Sequence, residues 1–230
     1  MGHKVHPKIY RMPILFPWDS RWVSSRQNYA KNVSQDVKIR DHISKKFKDA
    51  AIDCVIFERG AKNLTITIFA GKPGVIIGRG GQGLDGVRKE IERKFLKMSL
   101  KVKLNIQEVS APSLSARIVA ESVVKDTEAR MAYRRVIKQH IERVMKAGAQ
   151  GVKIGMSGRL NGVEIARREK LSQGKIPLIT MRSNVDYAYA IARTMYGAIG
   201  VKVWIYKGES FSKVDKLSES AETAEKKKNK

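Results

Sequence analysis

The run Gly71-Lys72-Pro73-Gly74-Val75-Ile76-Ile77-Gly78-Arg79-Gly80-Gly81-Gln82-Gly83-Leu84 carries residue types that hold phosphate. Glycines accept φ > 0 and let a backbone approach a ligand closely, and the N–H groups that open a helix point outward without partners. Leu84, Val87, Ile91 and Phe95 follow at helical spacing, so the run reads as a loop delivering the chain into a helix start, a cradle for phosphate. A second candidate is a cationic face: Arg130, Arg134 and Lys138 stand at i, i+4 and i+8, with Arg135 alongside. Like charges at that spacing cost a helix a few tenths of a kcal/mol per pair, and a polyanion in front of them reverses the sign.

Two known loops fit the glycine run. Gly78-x-Gly80-x-x-Gly83 matches the dinucleotide fingerprint, with Glu108 at the distance of a ribose-binding acid. Ile77-Gly78-Arg79-Gly80-Gly81 matches the G-x-x-G loop of KH domains, in which Gly78, Arg79, Gly80 and Gly81 would clamp the sugar-phosphate backbone of about four nucleotides. The surrounding elements discriminate. Residues 29–48 have roughly helical spacing, interrupted at Asp41 and His42. Residues 51–59 and 63–70 are rich in β-branched side chains and form a hairpin about Gly60-Ala61-Lys62. The loop and its helix, to about Met98, come next, then an alternating strand at Val102, Leu104 and Ile106. Helix, strand, strand, loop with helix, strand is not the repeated βαβ order that a dinucleotide site requires.

The rest of the chain predicts a second unit. Helices are expected from Pro112 to about Lys125 and, after an Asp126-Thr127 cap, from about Glu128 to Ala147, ending at Gly148. Strands follow at residues 151–156, 163–171 and 175–186, with a short helix at 188–196 ended by Gly197. A last strand, Val201-Lys202-Val203-Trp204-Ile205-Tyr206, is apolar on both faces and belongs inside a sheet. Arg159, Arg167, Arg168, Lys170, Lys175 and Arg182 form a second basic surface. At the front, Pro7, Pro13 and Pro17 predict an extended arm over residues 1–23 that offers Lys4, Lys8, Arg11 and Arg21 beside Tyr10, Trp18 and Trp22 to RNA. At the back, residues 209–230 read as a disordered basic tail ending in lysines.

The 230 residues carry 46 Lys+Arg against 22 Asp+Glu, a net charge of +24, which points to a polyanionic partner. No apolar run of about 18 residues is present to span a bilayer, and the first residues lack the apolar core of a signal peptide. Cys54 is the one cysteine, so no intrachain disulfide can form, and its apolar neighbours predict a core position. His3 and His6 have no Cys or acidic partner for a metal, while His42 and His140 read as surface or RNA-facing histidines. No catalytic constellation, cofactor or metal site is expected.

With these residues in hand, the chain closely resembles the bacterial-type family of small-subunit ribosomal protein three, KH type II proteins of the small-subunit head. The resemblance covers residues 1 to about 210. It is carried by Met1-Gly2-x-Lys4-Val5-x-Pro7, Trp18-x-Ser20-x-Trp22, Pro73-Gly74-Val75-Ile76-Ile77-Gly78 and Tyr133-Arg134-Arg135-x-x-Lys138. More specific are Ser157-Gly158-Arg159-Leu160-x-Gly162-x-Glu164-Ile165-Ala166-Arg167 and Tyr196-Gly197-x-Ile199-Gly200-Val201-Lys202-Val203-Trp204-Ile205. It implies an α+β chain, a KH type II domain at 24–110 followed by an α/β domain at 111–208 with two helices on a mixed sheet. It also implies binding to small-subunit rRNA, neighbours among the head proteins, no membrane partner, and a place at the channel by which mRNA enters the cytoplasmic or bacterial-type organellar ribosome. There the residues matching Arg134, Arg135 and Lys138, with Arg130 on the same predicted face, would support unwinding of mRNA. A free KH-type regulator of single-stranded RNA is the alternative. The family commonly has Leu-Gly where this chain has Met12-Pro13, and often two lysines where it has Arg79 and Gly80. Asn161 replaces a turn glycine, and Asn tolerates the left-handed region.

Overall fold

A computed structural model of the chain describes residues 4–60, 62–96 and 100–217. In chain order its elements are α1 (Pro7–Tyr10), β1 (Ser20–Arg21), α2 (Arg26–Lys46), β2 (Ile52–Arg59), β3 (Asn63–Ala70), α3 (Pro73–Ile77) and α4 (Gln82–Lys94), then β4 (Lys101–Glu108), α5 (Ala116–Glu128), α6 (Tyr133–Lys146), β5 (Gly151–Gly158), β6 (Arg167–Gly174), β7 (Ser183–Thr194) and β8 (Gly197–Glu209). Contacts divide the chain into two units. One spans residues 18–110, and the other joins residue 111 onward with the residues before 18.

In the first unit the sheet order is β1-β2-β3-β4, with β2 and β3 antiparallel and β3 and β4 parallel. The parallel step needs a crossover, and the glycine loop with α3 and α4 supplies it. Leu64, Ile66 and Ile68 alternate into a core shared with Ile39 and Ile43 of α2 and Val87 and Ile91 of α4, all essentially without solvent exposure. The expected break at Asp41 and His42 does not occur. Both side chains stand off the buried stripe of α2, so neither interrupts its packing. A polar cluster is sealed beside this core: Asp36 of α2 pairs with Arg59 of β2 and accepts the Trp22 indole N–H at 2.8 Å, while Arg59 also donates to Asn32 and Gln35.

In the second unit the order is β6-β5-β8-β7, and every pairing is antiparallel, which corrects the mixed sheet expected there. The reason lies at residues 188–196, read as a short helix, of which 188–194 belong to β7 and 195–196 to the turn after it. Ala188 and Ala192 point inward and Tyr189 and Ile191 outward, a period of two. The inward alanines let α5 lie close, with its own Ala116 and Ala120 buried in the same core. α6 lies over β5 and β6, its buried residues joining Val152, Ile154 and Met156. β8 is interior, as its apolar faces require. Arg11, expected to reach RNA from an extended arm, is instead fully buried. Pro7 opens α1, the His6 side chain caps it, and the Arg11 guanidinium donates to the carbonyls of Pro7, Pro177, Leu178 and Thr180 at 2.9–3.1 Å.

Candidate nucleic-acid interface

The glycine loop has the backbone its sequence asks for. Gly78, Gly80 and Gly81 all sit at positive φ (69°, 61° and 78°), turning the chain from α3 into α4 within the four residues 78–81. Gly83 is required for a different reason: a Cβ there would lie 2.8 and 2.9 Å from the carbonyl oxygens of Ile76 and Ile77. Around Gly80 and Gly81 there is open space. An open glycine main chain is what a sugar-phosphate backbone needs to come close. The side chain of Arg79 lies outside the described residues.

The basic helix differs from expectation at its start. Instead of one helix from Glu128, α5 runs on to Glu128 and α6 begins at Tyr133. Between them the N–H of Arg130 bonds to the Thr127 carbonyl and that of Met131 to the Asp126 carbonyl, a Schellman ending with Arg130 at φ 62° where glycine is the usual residue. The left-handed conformation costs a non-glycine residue about 1 kcal/mol. Arg130 therefore leaves the α6 stripe, and its guanidinium approaches the Met195 sulfur at 3.3 Å.

On α6 itself Arg134, Arg135 and Lys138 are exposed along one face and, with Gln139 and Glu142, line a shallow depression. Arg134 donates to Glu169 of β6 at 3.1 Å, and the Tyr133 hydroxyl donates to the same carboxylate oxygen at 2.9 Å. Those two hydrogen bonds, Arg134 first, hold the Glu169 carboxyl below the usual carboxylate range. No carboxylate among the described residues pairs with Arg135 or Lys138, so both cations face solvent. Glu169 escaped the sequence reading because it is one acid in the basic run Arg167-Arg168-Glu169-Lys170, with nothing to show that β6 would turn it toward α6.

The other predicted cations divide by what they touch. Arg167, Arg168 and Lys170 are exposed on β6, where Arg168 and Lys170 share the outward face with Lys153. Arg182 is paired with Glu209 at 2.8 Å. Arg159 is held by the Val163 and Tyr196 carbonyls and lies over the Tyr196 ring at 5.8 Å. Lys4 is exposed and Lys8 half-buried, while Arg21 donates to the Trp18 carbonyl. Trp22, offered to RNA by the sequence, is half-buried with its N–H bound to Asp36, whereas Trp18 is exposed.

His140 is a correction, since it is 1% exposed and its Nε2 lies 2.8 Å from Asp126. Burial pushes its pKa below the ordinary histidine value, against the opposing pull of Asp126. His42 does stay partly exposed, 3.2 Å from Glu90. Cys54 is half-buried rather than a full core residue. His3 and the lysines of the tail beyond residue 217 lie outside the described residues. Among the described residues no group of three or more His, Cys, Asp or Glu could hold a metal ion, and no helix is long and apolar enough to cross a membrane.

Two family models match the chain. Residues 38–114 match the family model described as KH domain, and residues 123–205 match that described as Ribosomal protein S3, C-terminal domain. The chain is 44% identical over 225 residues to small ribosomal subunit protein uS3 of Carboxydothermus hydrogenoformans, covering 98% of this chain and 100% of the relative. The protein of the same name from Desulforamulus reducens is 46% identical over 209 residues, covering 91% and 93%. That of Thiobacillus denitrificans is 43% identical over 213 residues, covering 93% and 90%.

Proposed function

The chain belongs to the small ribosomal subunit protein uS3 family, and from that premise we propose that it is a constituent of the small-subunit head that binds rRNA and lines the channel by which mRNA enters. Exposed cations on several elements, Lys4, Arg167, Arg168 and Lys170 among them, suit distributed phosphate contacts that fix position without reading sequence. Neighbouring head proteins complete its partners, and the Gly78–Gly81 backbone contributes a further approach for RNA.

The observation that carries the channel reading is the α6 face. Arg135 and Lys138 are exposed and unpaired by any described carboxylate, with Arg134 one turn before Lys138. Cations at that spacing can track a single strand by its phosphates while the bases pass unread. The work of separating mRNA structure would come from translocation, with α6 holding the strand that emerges.

The test replaces Arg134, Arg135 and Lys138 together with alanine. Subunits should assemble as before, and translation should slow on structured messages while unstructured ones are unaffected; equal rates on both would defeat the assignment. The open space at Gly80 favours a second reading, a free regulator gripping single-stranded RNA by the loop. That reading requires tight binding of a short RNA by the isolated chain, lost with Gly80→Asp and Gly81→Asp. A chain recovered only with small subunits through a high-salt cushion excludes it.

A further inference from the structure

Three turns of the second unit meet around one cavity: the α5–α6 connection, the loop after β5 and the β7–β8 turn. The cavity has a volume of about 450 Å³, and Arg130, Arg159 and Arg193 stand in its lining beside Tyr133, Met195 and Tyr196. Its one carboxylate, Glu128, accepts the backbone N–H of Arg193 at 2.9 Å, so the lining carries a surplus of two positive charges. We propose that this cavity takes one unpaired nucleotide of an RNA strand, its base against the aromatic wall and its phosphates on the arginines.

Four features support that occupant. Arg159 is pre-set by its two carbonyl bonds and lies over the Tyr196 ring. Gly162 closes on that ring, and a Cβ in its place would come within 2.9 Å of it, so the ring is backed by main chain on one side. Tyr196 is nevertheless 53% exposed and Met195 74% exposed, which leaves an apolar wall open to a planar base. Arg130 occupies a left-handed position that glycine would fill without strain, which places a cation at the rim at the expense of the turn. Aromatic surface with arginines beside it is the general chemistry of single-strand binding, in which the base stacks and the cations hold the backbone.

The inference rests on the reading of the chain as an RNA-binding constituent of the subunit, and it is independent of whether α6 meets mRNA. Two strands share the required chemistry, an unpaired rRNA residue and the incoming message. The full chain with a short oligouridylate containing iodouridine should photocrosslink at Tyr196, Met195 or Tyr133. Tyr196→Ala should weaken binding about tenfold, and Tyr196→Phe should restore it. Arg130→Gln with Arg193→Gln should reduce the slope of log affinity against log salt by about 0.7 for each cation removed. In assembled subunits, a crosslink from the cavity to rRNA, or one appearing only when mRNA is added, each supports the proposal and names the source. Affinity unchanged in Tyr196→Ala, or crosslinks from the cavity to a neighbouring protein and none to RNA, would overturn it. Either result leaves the α6 test standing, because that test reads translation of structured mRNA in a different variant.

Discussion

The Glu169 carboxylate stands 3.1 Å from the Arg134 guanidinium, and among the described residues it is the one acid of another element paired with a cation on the basic face of α6. It therefore sets how much of Arg134 is available to a passing phosphate. Glu169→Gln keeps the shape and an acceptor while removing the charge. Single-stranded RNA should bind more tightly to this variant, with a steeper salt dependence by about 0.7 in the log–log slope. Titrations at several salt concentrations check this, and an unchanged slope would mean that Arg134 makes no phosphate contact.

Arg130→Gly should separate stability from binding. Glycine relieves the left-handed strain at the end of α5, so the unfolding midpoint should rise, by about 1 kcal/mol in denaturant titration. The lost cation should weaken RNA binding in the same protein. A fall in stability would show that the Arg130–Met195 contact outweighs the backbone strain.

The sealed pair of Asp36 and Arg59 predicts a large loss in the first unit when only one partner is removed. Arg59→Met leaves the Asp36 carboxylate buried with only the Trp22 indole N–H, and should destabilise by about 3–5 kcal/mol. Asp36→Leu together with Arg59→Met should recover much of that loss. Chemical denaturation of the single and double variants measures the difference.

His140 predicts a pH dependence of known sign. Its folded pKa lies below the ordinary value, so between the two the unfolded chain binds the extra proton and stability rises with pH. The contribution is intact above about 6.5 and is lost as pH falls through the folded pKa. His140→Gln should flatten this part of the profile relative to the parent chain, as read from unfolding midpoints at pH 7.5 and below.

At the glycine loop two substitutions should part company. Gly83→Ala forces a methyl to within 3 Å of two carbonyl oxygens and should cost about 1–3 kcal/mol. Gly80→Asn meets open space in a conformation that asparagine accepts, and should be close to neutral for folding. Thermal unfolding of the two variants gives the comparison.

The two helix endings show what the sequence made legible. Gly148 ends α6 in the same bonding pattern that ends α5, its N–H reaching Met145 and that of Ala149 reaching Val144. The glycine announced the first of these stops, while Arg130 concealed the second, so the second helix read as starting at Glu128 rather than at Tyr133. Asn161, at φ 56°, replaces a turn glycine in the manner its side chain allows. The hairpin, the glycine loop and the interior β8 were readable because each rests on local spacing. β7 was not, because its inward alanines answer to the close approach of α5 and look locally like helix formers. Nor was the burial of Arg11, three of whose four carbonyl partners lie 166 to 169 residues away, or the turning of Glu169 toward α6.

The attachment of α1 has a consequence for the order in which the protein can take shape on its own ribosome. Residues 18–110 form one unit by themselves and are complete early in synthesis. The residues before them are not, because the carbonyls of Pro177, Leu178 and Thr180 that receive Arg11, and the Val214 N–H that reaches the Leu15 carbonyl, are made only after that unit. Chains emerge amino end first and domains generally fold as units. A segment that leaves the exit tunnel before the first unit is thus fastened only after it, and until then Arg11 travels as one more solvated cation, free to meet nucleic acid before it is withdrawn into the protein.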